Sequence, residues 1–291
     1  AFDLGITLID TADVYGNCGD SETFLGEVLG DRRKDIVLAS KCGLPMDSAG
    51  KLKGASRHYI LSAIDASLKR LKTDWIDLYI IHRPDPQTPI EETLRTLDDL
   101  VRAGKVIYPA VSNWSAWATQ RAVDLQERNG WSRLQLAQPM YNLVKRQAEV
   151  EILPMAQANG IGVIPYSPAA AGLLSGKYLG GSNAGGNSGR LKSNKMYEAR
   201  YGDDWMIDVA EKYVAFCKQR GLHPVSTAIA WVGAHPAVTA PIVGARNVEQ
   251  LKDSLAAVDI KMTPELRAEI AALSRTPAPA TDRTEELRIA R

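Results

Sequence analysis

Alternation constrains this chain more than any other feature. Short β-branched, apolar runs occur at Ile6–Ile9, Ile36–Ala39, Ile76–Ile81, Val106–Val111, Leu134–Ala137, Gly162–Pro165 and Val238–Val243. Between them lie stretches with helical periodicity. Ser56 is placed to cap a helix running through RHYILSAIDASLKRL, and the helix over Pro89–Lys105 ends on Ala-Gly-Lys, a glycine stop. Further helices fit Ala116–Arg128, Ala148–Asn159 before Gly160, Trp205–Arg220 before Gly221, and Val248–Ala257. Strand and helix in strict alternation imply a parallel sheet joined by right-handed crossovers.

The fold expected is α/β, a (β/α)8 TIM barrel. Seven strands are detected where eight are needed, and AFDLG reads as the last turn of a helix with its glycine cap. The reading adopted is therefore a barrel lacking its first βα unit, with an open sheet as the alternative. One barrel domain over 1–291 is expected, carrying a mobile loop around 174–204, where GGSNAGGNSGR has no apolar period, and a C-terminal arm over 274–291.

At 291 residues, 45% hydrophobic, with a net charge of +1, the chain has core enough for that barrel and no basic block to hold nucleic acid. No run approaches the length of a membrane-spanning helix, so no membrane partner is expected. Cys18, Cys42 and Cys217 are odd in number and lack CxxC spacing, which reads as free thiols in the cytoplasm. His58, His82, His223 and His235 show no ligand spacing, so no metal is expected. The oligomeric state leaves no trace in the sequence.

Polar groups gather where the first three strands end. Asp10 and Tyr15 lie in LIDTADVYG, Lys41 in VLASKCG and His82 in DLYIIHRPD. In a (β/α) barrel these positions open onto the catalytic face. A phenol is too weak an acid near neutrality unless a cation favours its anion, so a tyrosine beside a lysine, with an aspartate anchoring the lysine, suits proton delivery to a developing alkoxide. A histidine there can orient the substrate oxygen. Taken singly, Asp10 could be a turn cap, Tyr15 a packing residue, Lys41 a solvated charge and His82 a core histidine. Cys42 reads as a small packing residue.

The strings DTADVYG, SETFLG, KCG and DLYIIHRPD, followed in order by SNW at 112–114, QPMYN at 138–142, IPYSPAAAGLLSGKY at 164–178 and PIVGARNVEQL at 241–251, resemble the aldo-keto reductase superfamily from residue 1 to about 260. The resemblance implies NADPH, in preference to NADH, and a small carbonyl or alcohol substrate. It makes Tyr15 the general acid, Lys41 and Asp10 its tuning pair, and His82 the orienting group. Ser112, Asn113 and Gln138 would hold the nicotinamide carboxamide, and Tyr166 would stack on the ring. Ser167, Pro168, Ala169, Ala171, Lys177 and Arg190 would line the pyrophosphate. Gly244, Arg246 and Gln250 would meet the adenosine end, with Arg246 suited to a 2′-phosphate. Family members often carry Glu and Asn where this chain has Asp253 and Ser254; the shorter serine lacks an amide donor, which weakens the hold on adenine. Ser112 and Asn113 could also cap the helix near Ala116. Trp114 and Tyr141 follow strand ends and could wall a substrate pocket, whereas Trp117 and Trp205 read equally well as helix packing.

Three functions follow. The leading one is reduction of an aldehyde or ketone. The second is a cofactor-binding regulatory subunit with slow turnover, resembling potassium-channel β subunits. The third is an unrelated (β/α)8 lyase or isomerase, which needs no nicotinamide.

Overall fold

Leu38, Ala39, Ile76, Ile80 and Ile81 are all buried, as strands covered on both faces must be. In the computed structural model, which describes residues 1–179, 191 and 194–285, they belong to a parallel sheet of order β1-β2-β3-β4-β5-β6. The strands are β1 (Leu8–Asp10), β2 (Val37–Cys42), β3 (Ile76–Ile81), β4 (Val106–Ser112), β5 (Leu136–Gln138) and β6 (Gly162–Val163). The chain gathers into two compact units: Ala1–Gln138 with Ala158–Gly162, and Pro139–Gln157 with Val163–Arg291. Among the described residues no helix is long and apolar enough to cross a membrane.

The first unit follows the sequence pattern closely. Helices α1 (Tyr15–Val28), α2 (Arg57–Leu71), α3 (Ile90–Arg102) and α4 (Ala116–Asn129) separate its strands. Ser56 caps α2 through Tyr59 N–H, and Gly104 follows α3 with φ 72. Ser115, and not Ser112 or Asn113, caps α4, its side chain accepting from Ala118 N–H. One core runs beneath these helices, joining Leu38, Ile60, Ile64, Tyr79, Leu94 and Leu97.

The sheet in this unit is curled. Asp10 ends β1 and Gln138 ends β5, four strands apart in the order, which in a flat sheet would separate them by about 19 Å. Yet Gln138 Nε2 donates to Asp10 Oδ1 at 2.9 Å.

α1 opens irregularly. Gly16, Asn17, Cys18 and Gly19 all have positive φ, from 53° to 131°, so the regular helix begins after them. Its other end packs tightly on α2. A Cβ built on Gly26 would run into the Arg70 carbonyl oxygen and lie 2.8 Å from the Leu71 carbonyl carbon. Backbone cannot yield as a side-chain tip can. We predict that Gly26→Ala destabilises the protein by about 1–3 kcal/mol despite alanine's better helix propensity. Urea denaturation measures it, and an unchanged midpoint would refute the close approach.

The second unit departs from expectation in three places. Val238–Val243 is not a regular strand. It still pairs, through Thr239 N–H to Val163 O at 2.8 Å and Ile242 N–H to Pro165 O at 2.9 Å, but Pro241 has no N–H to continue the ladder. The helix expected over Ala148–Asn159 is a 3-10 turn (Gln147–Glu149) followed by α5 (Ile152–Ala158). Pro154 forces that break, because proline is tolerated only in the first helical turn. Within 174–204, a 3-10 helix over Ala170–Ser175 ends and an α-helix spans Lys195–Tyr201, while 180–190 and 192–193 lie outside the described residues. Helices over Asp204–Gln219 and Val248–Leu255 match the pattern. The helix over Pro224–Gly233 does not show in it, because PVSTAIAWVG has too little polar residue content to mark a face.

Candidate active site

Parallel register carries the candidate residues to one end of the sheet. Asp10 pairs with Ala39 at the end of β1, Lys41 with Ile80 near the end of β2, and Ser112 with Gln138 at the ends of β4 and β5. His82 follows β3, its N–H bonded to Cys42 O at 2.8 Å. Tyr15 is brought back by the turn after β1, where Asp13 N–H bonds to Lys41 O at 3.1 Å.

The four side chains form one cluster. Lys41, with no exposed surface, directs its ammonium to Asp10 Oδ2 and Thr11 O, each at 2.7 Å, and to the Tyr15 hydroxyl oxygen at 3.5 Å. Burial lowers the lysine pKa, and Asp10, followed by Asp13 and Glu22, opposes that fall. The His82 ring meets the Tyr15 ring edge-on, centroids 5.8 Å apart. Burial first, then Lys41 and Arg83, pushes the His82 imidazole down to about 3, so it is neutral at pH 7. Its Nδ1 is buried with no hydrogen-bond partner among the described residues. Tyr15 keeps 40% exposure, unlike the lysine beneath it. A phenol open to solvent, backed by a buried cation and a neutral imidazole, is arranged to give up a proton outward.

Amide and hydroxyl groups border this cluster. Ser112 Oγ donates to Gln138 O at 2.9 Å, and Asn113, held at φ 61, donates from Nδ2 to His82 O at 3.1 Å. Trp114 is buried in the apolar core, and its Nε1 has no partner among the described residues. Trp117 is 71% exposed, which sets aside its reading as helix packing.

Sequence reasoning missed the polar layer beneath. Glu22 has no exposed surface; Arg70 Nε donates to it at 2.8 Å, and Ser40 donates to its other oxygen. Asp13 is equally buried, with Tyr59 OH donating at 3.4 Å. The SETFLG and DTAD strings hold these acids, but Arg70 and Tyr59 reach them only through the packing of α2. Burial, then Glu22, pushes the Asp13 carboxyl up to about 7. The folded state thus binds this proton more tightly than the unfolded chain, whose value is near 3.8. The associated stability is full below about pH 4 and is lost as pH rises through about 7, a loss on the order of 4 kcal/mol. Asp13→Asn should flatten this pH dependence. Equal slopes for the two proteins, from urea denaturation at about pH 5 and about pH 8, would refute it.

The second unit holds the remaining candidates. Tyr166 bridges to Met140, its N–H bonded to Pro139 O at 3.0 Å. Ser167 (φ 59), Ala170 (φ 50), Ala171 (φ 55) and Gly172 (φ 91) lie close together in the left-handed region, a costly arrangement for residues with a Cβ. Pro168 is buried among them and Ala169 caps the 3-10 helix. Lys177 lies over the Tyr178 ring at 4.9 Å. Gly244 and Arg246 are exposed. Gln250 is partly committed: its Oε1 accepts from Arg246 N–H at 3.1 Å. Asp253 is exposed, but Ser254 is buried and donates to Gln250 O at 2.9 Å, so its hydroxyl is used within its own helix. Tyr141 has no exposed surface; its hydroxyl donates to Glu149 at 2.6 Å and accepts from Arg267 at 2.8 Å. Trp205 packs under Arg275 at 4.5 Å. Arg190 lies outside the described residues.

The sequence model of the Aldo/keto reductase family matches residues 1–275. An uncharacterized oxidoreductase of Bacillus subtilis (strain 168), YrpG, is 38% identical over 91% of this chain and 82% of its own. A putative voltage-gated potassium channel subunit beta of Schizosaccharomyces pombe is 33% identical, over 93% and 80%. L-glyceraldehyde 3-phosphate reductase of Escherichia coli (strain K12) is 34% identical, over 89% and 77%. These matches set aside an unrelated lyase or isomerase. On the strength of its family match and of relatives aligned along most of their length, this chain belongs to the aldo/keto reductase family of oxidoreductases.

Proposed function

We propose that this protein reduces an aldehyde or ketone to its alcohol, reversibly, with NADPH as the hydride source. The observation that carries the reading is the Lys41 ammonium, ion-paired to Asp10 at 2.7 Å and directed at the Tyr15 hydroxyl oxygen at 3.5 Å. A nicotinamide cofactor, when held there, would supply the hydride for the carbonyl carbon. Tyr15 donates its hydroxyl proton to the carbonyl oxygen. The Lys41 ammonium then faces the phenolate that remains, and Asp10 keeps that ammonium in place. Neutral His82 donates an N–H to the substrate oxygen and orients it.

Ser112, Asn113 and Gln138 fit a carboxamide, since they group hydroxyl and amide functions at the ends of β4 and β5. We assign Tyr166 to the nicotinamide face, Ser167, Pro168, Ala169, Ala171 and Lys177 to the pyrophosphate, and Gly244, Arg246, Gln250 and Asp253 to the adenosine end, with Arg246 favouring a 2′-phosphate. The fold that suits this reading is a (β/α)8 barrel, as one domain in the cytoplasm.

The test is direct. Adding NADPH should quench the protein's fluorescence, and an aldehyde panel should then oxidise it. Failure to bind either NADPH or NADH would overturn the proposal. The similarity to a potassium channel subunit beta supports a second reading, a cofactor-holding regulatory subunit. Turnover no faster than the release of cofactor would favour that one.

A further inference from the structure

Asp10 has two carboxylate oxygens, and each is held by a different strand. Oδ2 takes the Lys41 ammonium of β2 at 2.7 Å, and Oδ1 takes the Gln138 side-chain amide of β5 at 2.9 Å. We propose that Gln138 is a positioning residue for the proton donor, fixing the Asp10 carboxylate and linking the carboxamide end of the cofactor site to the charge on Lys41. The inference rests on the reductase reading.

Three observations support it. A carboxylate only accepts hydrogen bonds, so the Gln138 atom facing Asp10 is its NH2 group, and Oε1 points elsewhere. A carboxylate held at one oxygen can still rotate about its last bond; held at both, its plane is set, and with it the direction of the Lys41 pair. Gln138 is itself anchored, because its main-chain oxygen accepts from Ser112 Oγ at 2.9 Å and from Asn113 N–H at 3.4 Å. Side-chain hydrogen bonds therefore run from Gln138 through Asp10 and Lys41 to the Tyr15 oxygen, while Ser112 and Asn113 hold the Gln138 main chain.

Two experiments test this, and the first needs no cofactor. Gln138→Glu would set two carboxyls at hydrogen-bond distance, where they must share a proton. The infrared spectrum of the free variant at neutral pH should show a carbonyl stretch of a protonated carboxylic acid in addition to any Asp13 gives in both variants, and the added band should be missing from the Asp10→Asn/Gln138→Glu double variant. If the two spectra match, the pairing is wrong and the proposal falls.

The second experiment reads the reaction. Gln138→Leu and Asp10→Asn should each lower kcat, and their combination should cost about tenfold less than the product of the two, as for directly coupled residues. The kcat of Gln138→Glu should recover as pH falls from alkaline to neutral and the shared proton restores a donor to Asp10, with no such recovery in Gln138→Leu. Independent, multiplying effects, or a change confined to the cofactor KM, would reduce Gln138 to a cofactor contact and overturn the positioning role. An inert wild type would sink the reductase reading alone, since the infrared comparison on free protein would still decide the pairing.

Discussion

Tyr15→Phe is expected to lower kcat for carbonyl reduction by about a hundred- to ten-thousand-fold, the span general-acid catalysis supplies. The substitution removes one oxygen and keeps the ring, so the edge contact with His82 and the placement of Lys41 over the ring at 4.9 Å survive. Only the proton and the atom Lys41 faces at 3.5 Å disappear. Fluorescence quenching by NADPH should therefore persist while turnover collapses. Retention of full activity would remove Tyr15 from the role of proton donor. His82, pushed down to about 3, carries no proton to spare near neutrality and cannot stand in for it.

Lys41→Met should cost about 3–5 kcal/mol of stability, because it removes one partner of a buried pair and leaves the other charge uncompensated. The Asp10 side chain is only 10% exposed, and Thr11 O also loses its donor. Methionine nearly matches lysine in length, so little of the loss would come from a cavity. Equilibrium denaturation in urea measures the effect. Adding Asp10→Asn should recover much of it, since the amide carries no charge. A Lys41→Met protein as stable as wild type would mean the pair is far better solvated than its burial indicates. Activity should fall in the same variant, as the phenolate would lose its counter-charge.

The strand-ending residues were legible because β-α alternation has a period and because Asp10, Lys41 and His82 interrupt apolar runs. Helix ends were legible where the signal is local, as with Ser56 and Gly104. Patterns failed where local rules met a competing one. Pro241 denied a ladder to an apolar run, and Pro154 moved the start of a helix. The Pro224–Gly233 helix is apolar enough to hide its face. Trp114 and Tyr141 follow strand ends, but how deeply each ring is buried depends on the neighbours packed against it. Asp13 and Glu22 sit in plain view beside Tyr15, yet their chemistry comes from Arg70, Tyr59 and Ser40, at the far ends of other elements.

By itself, then, the sequence determined the parallel α/β class, the identities of the four clustered side chains and the family they resemble. These are carried by short-range order: period, caps and motif spacing. Tertiary structure alone decided that β1 and β5 come close enough for Gln138 to hold Asp10, that the lysine is wholly buried, and that a second acid layer lies beneath it. Those facts depend on the curl of the sheet and on desolvation. Both are set by contacts between residues tens to more than a hundred positions apart, and no local pattern encodes them.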